Sequence, residues 1–184
     1  MPNSKFEAVV GEVLINSPLD NCVKVLLEYG SNIDQSSPKQ VLEFMVFQKF
    51  FFWTKEDEEA YQSTRQGTPR SFSFFVHSAA RSPAPLIVSH RDFVAVGFFK
   101  TDAKKCQLVL RGLDYPERVK GLVRGQNLVQ ILTFEQKESG TVFRQFIHAD
   151  PCGSIPASVY NMALDARNDI LLLMKGFVEG TITM

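Results

Sequence analysis

The stretch SHRDFVAVGFF, residues 89–99, carries the clearest strand pattern in this chain. A charged pair, Arg91 and Asp92, runs directly into a series of apolar and small residues, a composition that is typical of a β-strand. Because side chains alternate between the two faces of a strand, one face collects every second residue. We expect that face to look into the protein interior, and its members are Phe93, Ala95, Gly97 and Phe99.

Similar strands are predicted on both sides of this stretch. Apolar segments bounded by turn residues lie at 5–16, 71–79, 104–112, 120–134 and 141–149. Residues 41–53 follow a capping sequence but are crowded with Phe and Val, so helix and strand both fit and β-propensity favours a strand. The charged residues 54–70 predict a solvated connector. The spacings favour an antiparallel meander, because parallel strands require helical crossovers.

Two helices are predicted from capping and periodicity. Ser17 can cap the first helix, Pro18 fits its first turn, and Gly30 is placed to end it. Residues 156–177 predict a long amphipathic helix, which needs an apolar surface to lie against. Its apolar positions are Val159, Met162, Ala163, Ala166, Ile170, Leu173, Met174 and Phe177.

The composition narrows the class of protein. The length of 184 residues suits a single domain, with 45% hydrophobic residues and 16 Phe. Twenty Lys and Arg balance twenty Asp and Glu, whereas nucleic-acid binding usually leaves a basic excess. Three widely spaced cysteines argue against a disulfide framework and suit a reducing compartment. Without a signal segment or an apolar run of about 18 residues, we expect a cytoplasmic protein.

Two motifs resemble those of the START (StAR-related lipid transfer) domain family. SHRDFVAV is similar to that family's R-D-F/Y-V strand start, and HADPCGSIPASVYN (148–161) to its D-x-x-G-x-[IL]-P entry into the last helix. The sequence FVHSAARSPAPLIVSHRDF also resembles the family's strand, omega-loop and strand. The resemblance covers residues 6 to 177 approximately. It departs from the family in lacking an N-terminal helix and strands before 5–16.

The resemblance implies an α+β helix-grip fold. In this fold a curved antiparallel sheet wraps a long C-terminal helix and leaves a tunnel for one lipid, with the omega-loop and that helix as the lid. A carbon-lined tunnel gains roughly 0.8 kcal/mol for each CH₂ group it buries. Neither a cofactor nor a metal is implied.

The predicted tunnel lining follows from this fold and from alternation along the strands. The strands contribute Phe74, Val76, Ser78, Phe93, Ala95, Gly97, Leu108, Leu110, Val129 and Ile131, and the helix contributes Met162, Ala166, Ile170 and Met174. In the omega-loop, Leu86, Ile87 and Val88 form the predicted lid. This lid either touches a membrane surface during exchange or covers the tunnel permanently.

Gly97 bears on the kind of ligand. At this position several members of the family carry an inward Arg that meets a polar headgroup, and its acidic partner would fall near Ser78. This chain has neither the Arg nor the acidic partner. The joint loss of the two charges is physically reasonable, because either charge alone would be costly to bury. The implied pocket is less polar, which disfavours a phosphate-bearing ligand. The alternative is that Gly97 marks a bulge in a bent strand.

The other charged and polar candidates each have a structural alternative. Arg91 and Asp92 either touch a headgroup or fix a turn at the strand entrance. His77 either donates to a sterol hydroxyl or is a partly exposed strand residue, and His148 is expected to bond backbone. None of these residues has a metal-ligand spacing.

We therefore expect a single domain, residues 1–184, that is not an enzyme. It would bind one lipid (a sterol, a phospholipid or a fatty-acyl ligand) for intracellular transfer or sensing, with transient contact to a membrane surface and none to nucleic acid. One alternative is a protein-interaction module whose cavity is filled by side chains. The other is a helix-grip enzyme, for which the polar lining candidates are Ser78, His77 and Asn127.

Overall fold

The structure is a computed structural model that describes residues 6, 8–29, 45–82, 86, 88–155 and 157–182. Within its helices, the side chains of residue 29 and of residues 157–159 and 161–168 are outside this description. The predicted helix end at Gly30 and the lid residue Ile87 therefore lie outside the described residues. The same holds for the side chains of Met162 and Ala166.

The described chain forms one 8-stranded sheet with helices against it, so the α+β helix-grip prediction is confirmed. The strand order is β1-β8-β7-β5-β4-β3-β2, with the short β6 beside β4. All neighbouring strands on that path are antiparallel, and only the β4–β6 pair is parallel. The elements are β1 (Val9–Ile15), α1 (Leu19–Tyr29), β2 (Met45–Phe52), α2 (Lys55–Arg65), β3 (Ser71–Ala80), β4 (Arg91–Thr101), β5 (Lys105–Gly112), β6 (Val123–Arg124), β7 (Gln126–Lys137), β8 (Gly140–Asp150) and α3 (Ala157–Glu179).

The segment after β2 corrects one prediction. The strand predicted within 41–53 is confirmed as β2, but the connector predicted at 54–70 is wrong, because residues 55–65 form α2. Thr54 caps this helix: its side chain accepts from the backbone N–H of Asp57, whose carboxylate accepts from the backbone N–H of Thr54. The helix buries only Tyr61 and Thr64, so its apolar periodicity is too weak to see in the sequence.

The strand register decides which side chains face the helices. Phe74 pairs with Gly97, Gly97 with Leu110, and Leu110 with Gln130, so these positions share the concave face of the sheet. On β7 the predicted lining residues Val129 and Ile131 are wrong, because each lies one residue away from Gln130 and points to the opposite face. Ile131 pairs with Val109 there, and a register shift separates Asn127 from Val129.

Helices α1 and α3 cover the concave face and form the core with it. Leu19, Cys22 and Leu27 of α1 are buried in the same cluster as Leu171 and Phe177 of α3. Fully burying such a side chain contributes roughly 1.5–3 kcal/mol. None of the helices in the described part of the chain is long and apolar enough to cross a membrane.

The C-terminal half of α3 is held beside β1 by polar contacts. Lys175 donates from Nζ to the backbone carbonyl of Leu14, and the backbone N–H of Asn16 donates to the Glu179 carboxylate at 2.7 Å. Lys175 and Glu179 also form an ion pair of 3.0 Å one helical turn apart. These contacts fix the C-terminal end of α3 against β1.

Candidate functional site

One end of the concave face is filled by aromatic side chains, and we call it the aromatic end (Phe50, Phe52, Tyr61, Phe72, Phe74 and Phe99). Phe72 stacks on Phe99 with ring centroids 4.7 Å apart, and Phe50 stacks on Phe74 at 4.0 Å. Tyr61 donates its hydroxyl to the carbonyl of Leu27 at 3.2 Å. A cavity of about 30 Å³ remains among these rings. It has room for about one water molecule and none for an acyl chain.

Gly97 belongs to this aromatic end, because the ring of Phe74 lies directly over it. A Cβ added at Gly97 would come within 2.2 Å of a Phe74 ring carbon. The pairing of β4 with β3 and β5 runs through Gly97 without a register shift, so the alternative of a bulge is wrong. The space beside the glycine is thus occupied by Phe74, which is itself 2% exposed.

The other end of the concave face keeps accessible apolar surface, and we call it the open end (Leu110, Gln130, Leu132 and Ile170). Ile170 lies on the sheet-facing side of α3, since it precedes the buried Met174 by four residues and Phe177 by seven. It is nevertheless 37% exposed. Leu110 and Leu132 are also only half-buried, although both point to the concave face. Both α3 and this part of the sheet thus keep accessible apolar surface.

Polar groups of the open end are amides and a hydroxyl. Ser78 pairs with Phe93 on the concave face, and the Phe93 ring lies within 2.4 Å of where a Cβ on Gly125 would be. Asn127 donates from Nδ2 to Oε1 of Gln130 at 3.4 Å. Ala95, two residues after Phe93 on the same face of β4, is buried. None of these groups carries a charge.

Arg91 is buried, and no carboxylate in the described part of the chain pairs with it. Its guanidinium donates to the carbonyls of Ser89, Pro151 and Cys152, at 3.2 Å for Pro151 and 3.3 Å for Cys152. Burial lowers the pKa of this guanidinium, and a nearby Cys152 acts in the other direction. The side chain thus joins the end of the predicted omega-loop to the segment that leads into α3, which supports its structural interpretation.

Asp92 points to the other face and pairs with residues distant in sequence. Arg124 donates to its Oδ2 at 2.7 and 3.0 Å, and Nε2 of His77 lies 2.9 Å from the same atom. Burial raises the pKa of Asp92, but the hydrogen bonds from Arg124 and His77 outweigh it and hold the pKa below its usual value. Arg91 and Asp92 are therefore not partners of each other, and their buried contacts replace the exposed pair expected from the sequence.

The lid residues and His148 have distinct surroundings. In the omega-loop, Leu86 is fully exposed and Val88 is buried, so the two described lid residues point to different environments. His148 bonds through Nε2 to the carbonyl of Phe6 at 3.2 Å, which is the backbone contact expected for it. Phe6 also packs against Tyr160 of α3, with ring centroids 4.4 Å apart.

Among the described residues, the polar candidates for catalysis named from the sequence do not form an acid-base pair. His77 and Ser78 are adjacent in β3 and point to opposite faces, so they form no acid-base pair. Burial raises the pKa of the Cys22 and Cys106 thiols, which makes them poor nucleophiles. No group of three or more metal-ligating side chains lies together in the described part of the chain.

The structure therefore places the predicted lining residues in different parts of the interior. Phe74, Val76 and Gly97 belong to the aromatic end, and Leu108 lines its small cavity. Leu110 and Ile170 belong to the open end, while Met174 is buried in the core beside it. The sequence prediction missed Gln130 and Leu132. Both faces of β7 are apolar, so alternation alone favoured Val129 and Ile131, and only pairing with β5 shows the correct face.

Comparison with known proteins identifies the family. A sequence model of the START domain matches residues 34–168, most of the chain, and the chain therefore belongs to the START domain family. No curated protein sequence matches it.

Solved structures show the same fold at low sequence identity. Human StAR-related lipid transfer protein 5 superposes with a TM-score of 0.70 at 15% identity, over 98% of this chain and 79% of that one. A STAR-related lipid transfer protein from Xanthomonas axonopodis gives 0.68 at 18% identity, over 97% and 89%. Human STARD10 gives 0.65 at 14% identity over 93% of this chain, which spans 62% of the STARD10 chain.

Proposed function

We propose that this chain, as a single domain, binds one lipid or other hydrophobic molecule at the open end, between α3 and the concave face of the sheet. The observation that carries the proposal is accessible apolar surface on both the helix and the sheet, at Ile170 of α3 and at half-buried Leu110 and Leu132 of the concave face. Apolar surface inside a fold favours an apolar occupant by roughly 25 cal/mol for each Å² removed from water.

The charge of the site supports a binding function over catalysis. On the concave side of the described strands, Arg91 is the one charged side chain, and its guanidinium is engaged with backbone carbonyls. Binding an apolar molecule needs no acid or base. We propose that the protein works in the cytoplasm, where it carries or senses its ligand with transient contact to a membrane surface.

The first experiment is to identify what the protein holds. The chain is purified from cells under native conditions, extracted with organic solvent and analysed by mass spectrometry. We expect one class of lipid at close to one molecule per chain. An extract that stays empty after incubation with mixed liposomes would contradict the proposal.

A matched pair of variants locates the site. Leu110 points to the open end and its neighbour Val109 to the opposite face, and both are half-buried. Leu110→Arg is expected to abolish ligand recovery, because it places an unpaired charge on apolar surface. Val109→Arg should leave ligand recovery unchanged. Equal recovery from the two variants would show that the ligand does not bind at the open end.

A second candidate function follows from the aromatic end. There the rings leave only about 30 Å³. If the open end were closed in the same way, the domain would be a protein-interaction module with a filled interior. The liposome incubation separates the two functions, because a filled interior takes up no lipid.

A further inference from the structure

Two side-chain amides lie on the concave side of β7 at the open end. Gln130 pairs with Leu110 on one side and Ile147 on the other, so it sits in the middle of the concave face. Asn127 lies opposite Ala149, next to the register shift of β7. Gln130 is half-buried, and the residues paired with it are apolar. Burying an amide among apolar side chains is costly unless the amide is hydrogen-bonded, so hydrogen-bond partners are expected for this pair.

The hydrogen bonding of this pair is incomplete. The Asn127 Nδ2 to Gln130 Oε1 contact of 3.4 Å is at the long limit for a hydrogen bond. Oδ1 of Asn127 is buried and has no partner in the described part of the chain. Among the same residues, Nε2 of Gln130 makes no hydrogen bond. The pair thus presents one free acceptor, which is buried, and one free donor, and a buried acceptor usually has a partner.

The described surroundings disfavour an anionic partner on energetic grounds. The described concave side offers no free cation, since the Arg91 guanidinium donates to the carbonyls of Ser89, Pro151 and Cys152. A phosphate or carboxylate needs charge-assisted hydrogen bonds to leave water. A hydroxyl needs one acceptor and one donor, which is what the amide pair presents.

We propose that Asn127 and Gln130 bind the hydroxyl group of a neutral lipid alcohol. The lipid O–H donates to Oδ1 of Asn127, and the lipid oxygen accepts from Nε2 of Gln130. The ligand class is a neutral lipid with a free hydroxyl, such as a sterol, a long-chain alcohol or an acylglycerol. This inference rests on the proposed function and specifies its ligand.

The test pairs each hydroxyl lipid with its methyl ether, which keeps the carbon skeleton and loses the donor. Cholesterol, hexadecanol and monooleoylglycerol, and the ether of each, are delivered from phosphatidylcholine vesicles, and the lipid bound to re-isolated protein is quantified. At least one hydroxyl lipid should bind about tenfold better than its ether, since a lost buried hydrogen bond costs roughly 1–3 kcal/mol. Asn127→Leu removes the acceptor of the lipid O–H and should reduce this preference, whereas Gln130→Met removes a donor that alcohol and ether both use and should weaken binding of both.

Two controls keep the result interpretable. Val129→Leu lies on the same strand but faces the other way, and it should retain the wild-type preference. Asn127→Asp keeps the size of the side chain and an acceptor oxygen at the same position, so it should retain the preference for alcohol over ether that Asn127→Leu loses.

The outcomes separate this inference from the proposed function. Equal binding of alcohol and ether by the wild type, or preference for an anionic lipid, would overturn the role of the amides while leaving lipid binding intact. Failure to bind any lipid of either kind would overturn the proposed function, and the inference with it.

Discussion

The aromatic end and the open end lie on the same concave face but are closed to different degrees. At the aromatic end Phe72 and Phe74 are each 2% exposed, and stacked rings leave almost no space. At the open end Ile170 is 37% exposed, although helical spacing places it on the same side of α3 as the buried Met174 and Phe177. The two ends therefore differ in packing: the aromatic end is filled core, and the open end keeps accessible apolar surface.

The largest effect is expected for Phe72→Ala at the aromatic end. Removing a fully packed ring should lower the free energy of unfolding by about 3–5 kcal/mol, because it leaves a cavity among stacked neighbours. Leu132→Ala at the open end should cost about 1–2 kcal/mol, since the side chain is already half-exposed. Urea denaturation measures both, and equal losses would abolish the distinction between the two ends.

A smaller loss is expected for Asp92→Asn, on the face away from both ends. It removes charge-assisted hydrogen bonds with Arg124 and His77, so at neutral pH the free energy of unfolding should fall by about 1.5–3 kcal/mol. The folded-state pKa of Asp92 is depressed, so its contribution is complete above the unfolded pKa of about 3.9 and is lost as pH falls through the folded pKa.

The pH dependence provides the control for this variant. The difference in unfolding free energy between wild type and Asp92→Asn should shrink as the pH drops below about 4. Lipid binding by the variant should be unchanged at neutral pH, because Asp92 does not face the interior. A stability difference that stayed constant to low pH would contradict the charge-based account.

A third effect concerns the boundary between the ends, at Gly97. Gly97→Ala forces the Phe74 ring aside and should cost about 1–3 kcal/mol through overpacking. In a Phe74→Leu background the same substitution should cost clearly less, because the obstructing ring is gone. Thermal unfolding of the four proteins measures the coupling. Additive costs would show that Phe74 does not occupy the space beside Gly97.

The smallest effect is expected on the outer face. Phe98 points away from the interior and is 47% exposed, so Phe98→Ser should change the free energy of unfolding by no more than about 0.5 kcal/mol. Its lipid binding should equal that of the wild type. A loss of binding in this variant would show that the ligand contacts the outer face.

The sequence predicted the fold well because turn residues and apolar runs are local signals. The strands at 71–79 and 141–149, for example, correspond to β3 and β8 within one residue at each end. Helix α2 was missed because its capping box at Thr54 is followed by charged residues and little apolar periodicity.

The candidate site was harder to predict because it depends on register and on distant pairs. Phe74 and Gly97 meet only through the pairing of β3 with β4. The correct face of β7 depends on its pairing with β5, which alternation within one strand does not reveal. Asp92 meets Arg124, a residue far along the chain, where the sequence suggested its neighbour Arg91 as partner.

Photo-crosslinking maps where a bound ligand lies, so it tests directly whether the ligand binds at the open end. A long-chain alcohol that carries a diazirine is bound to the protein, activated by light and located by peptide mass spectrometry. The account predicts labels on β5, β7 and α3, around Leu110, Gln130 and Ile170. Labels concentrated on β2 and α2, around Phe50 and Tyr61, or on the outer face at Val109, would contradict it.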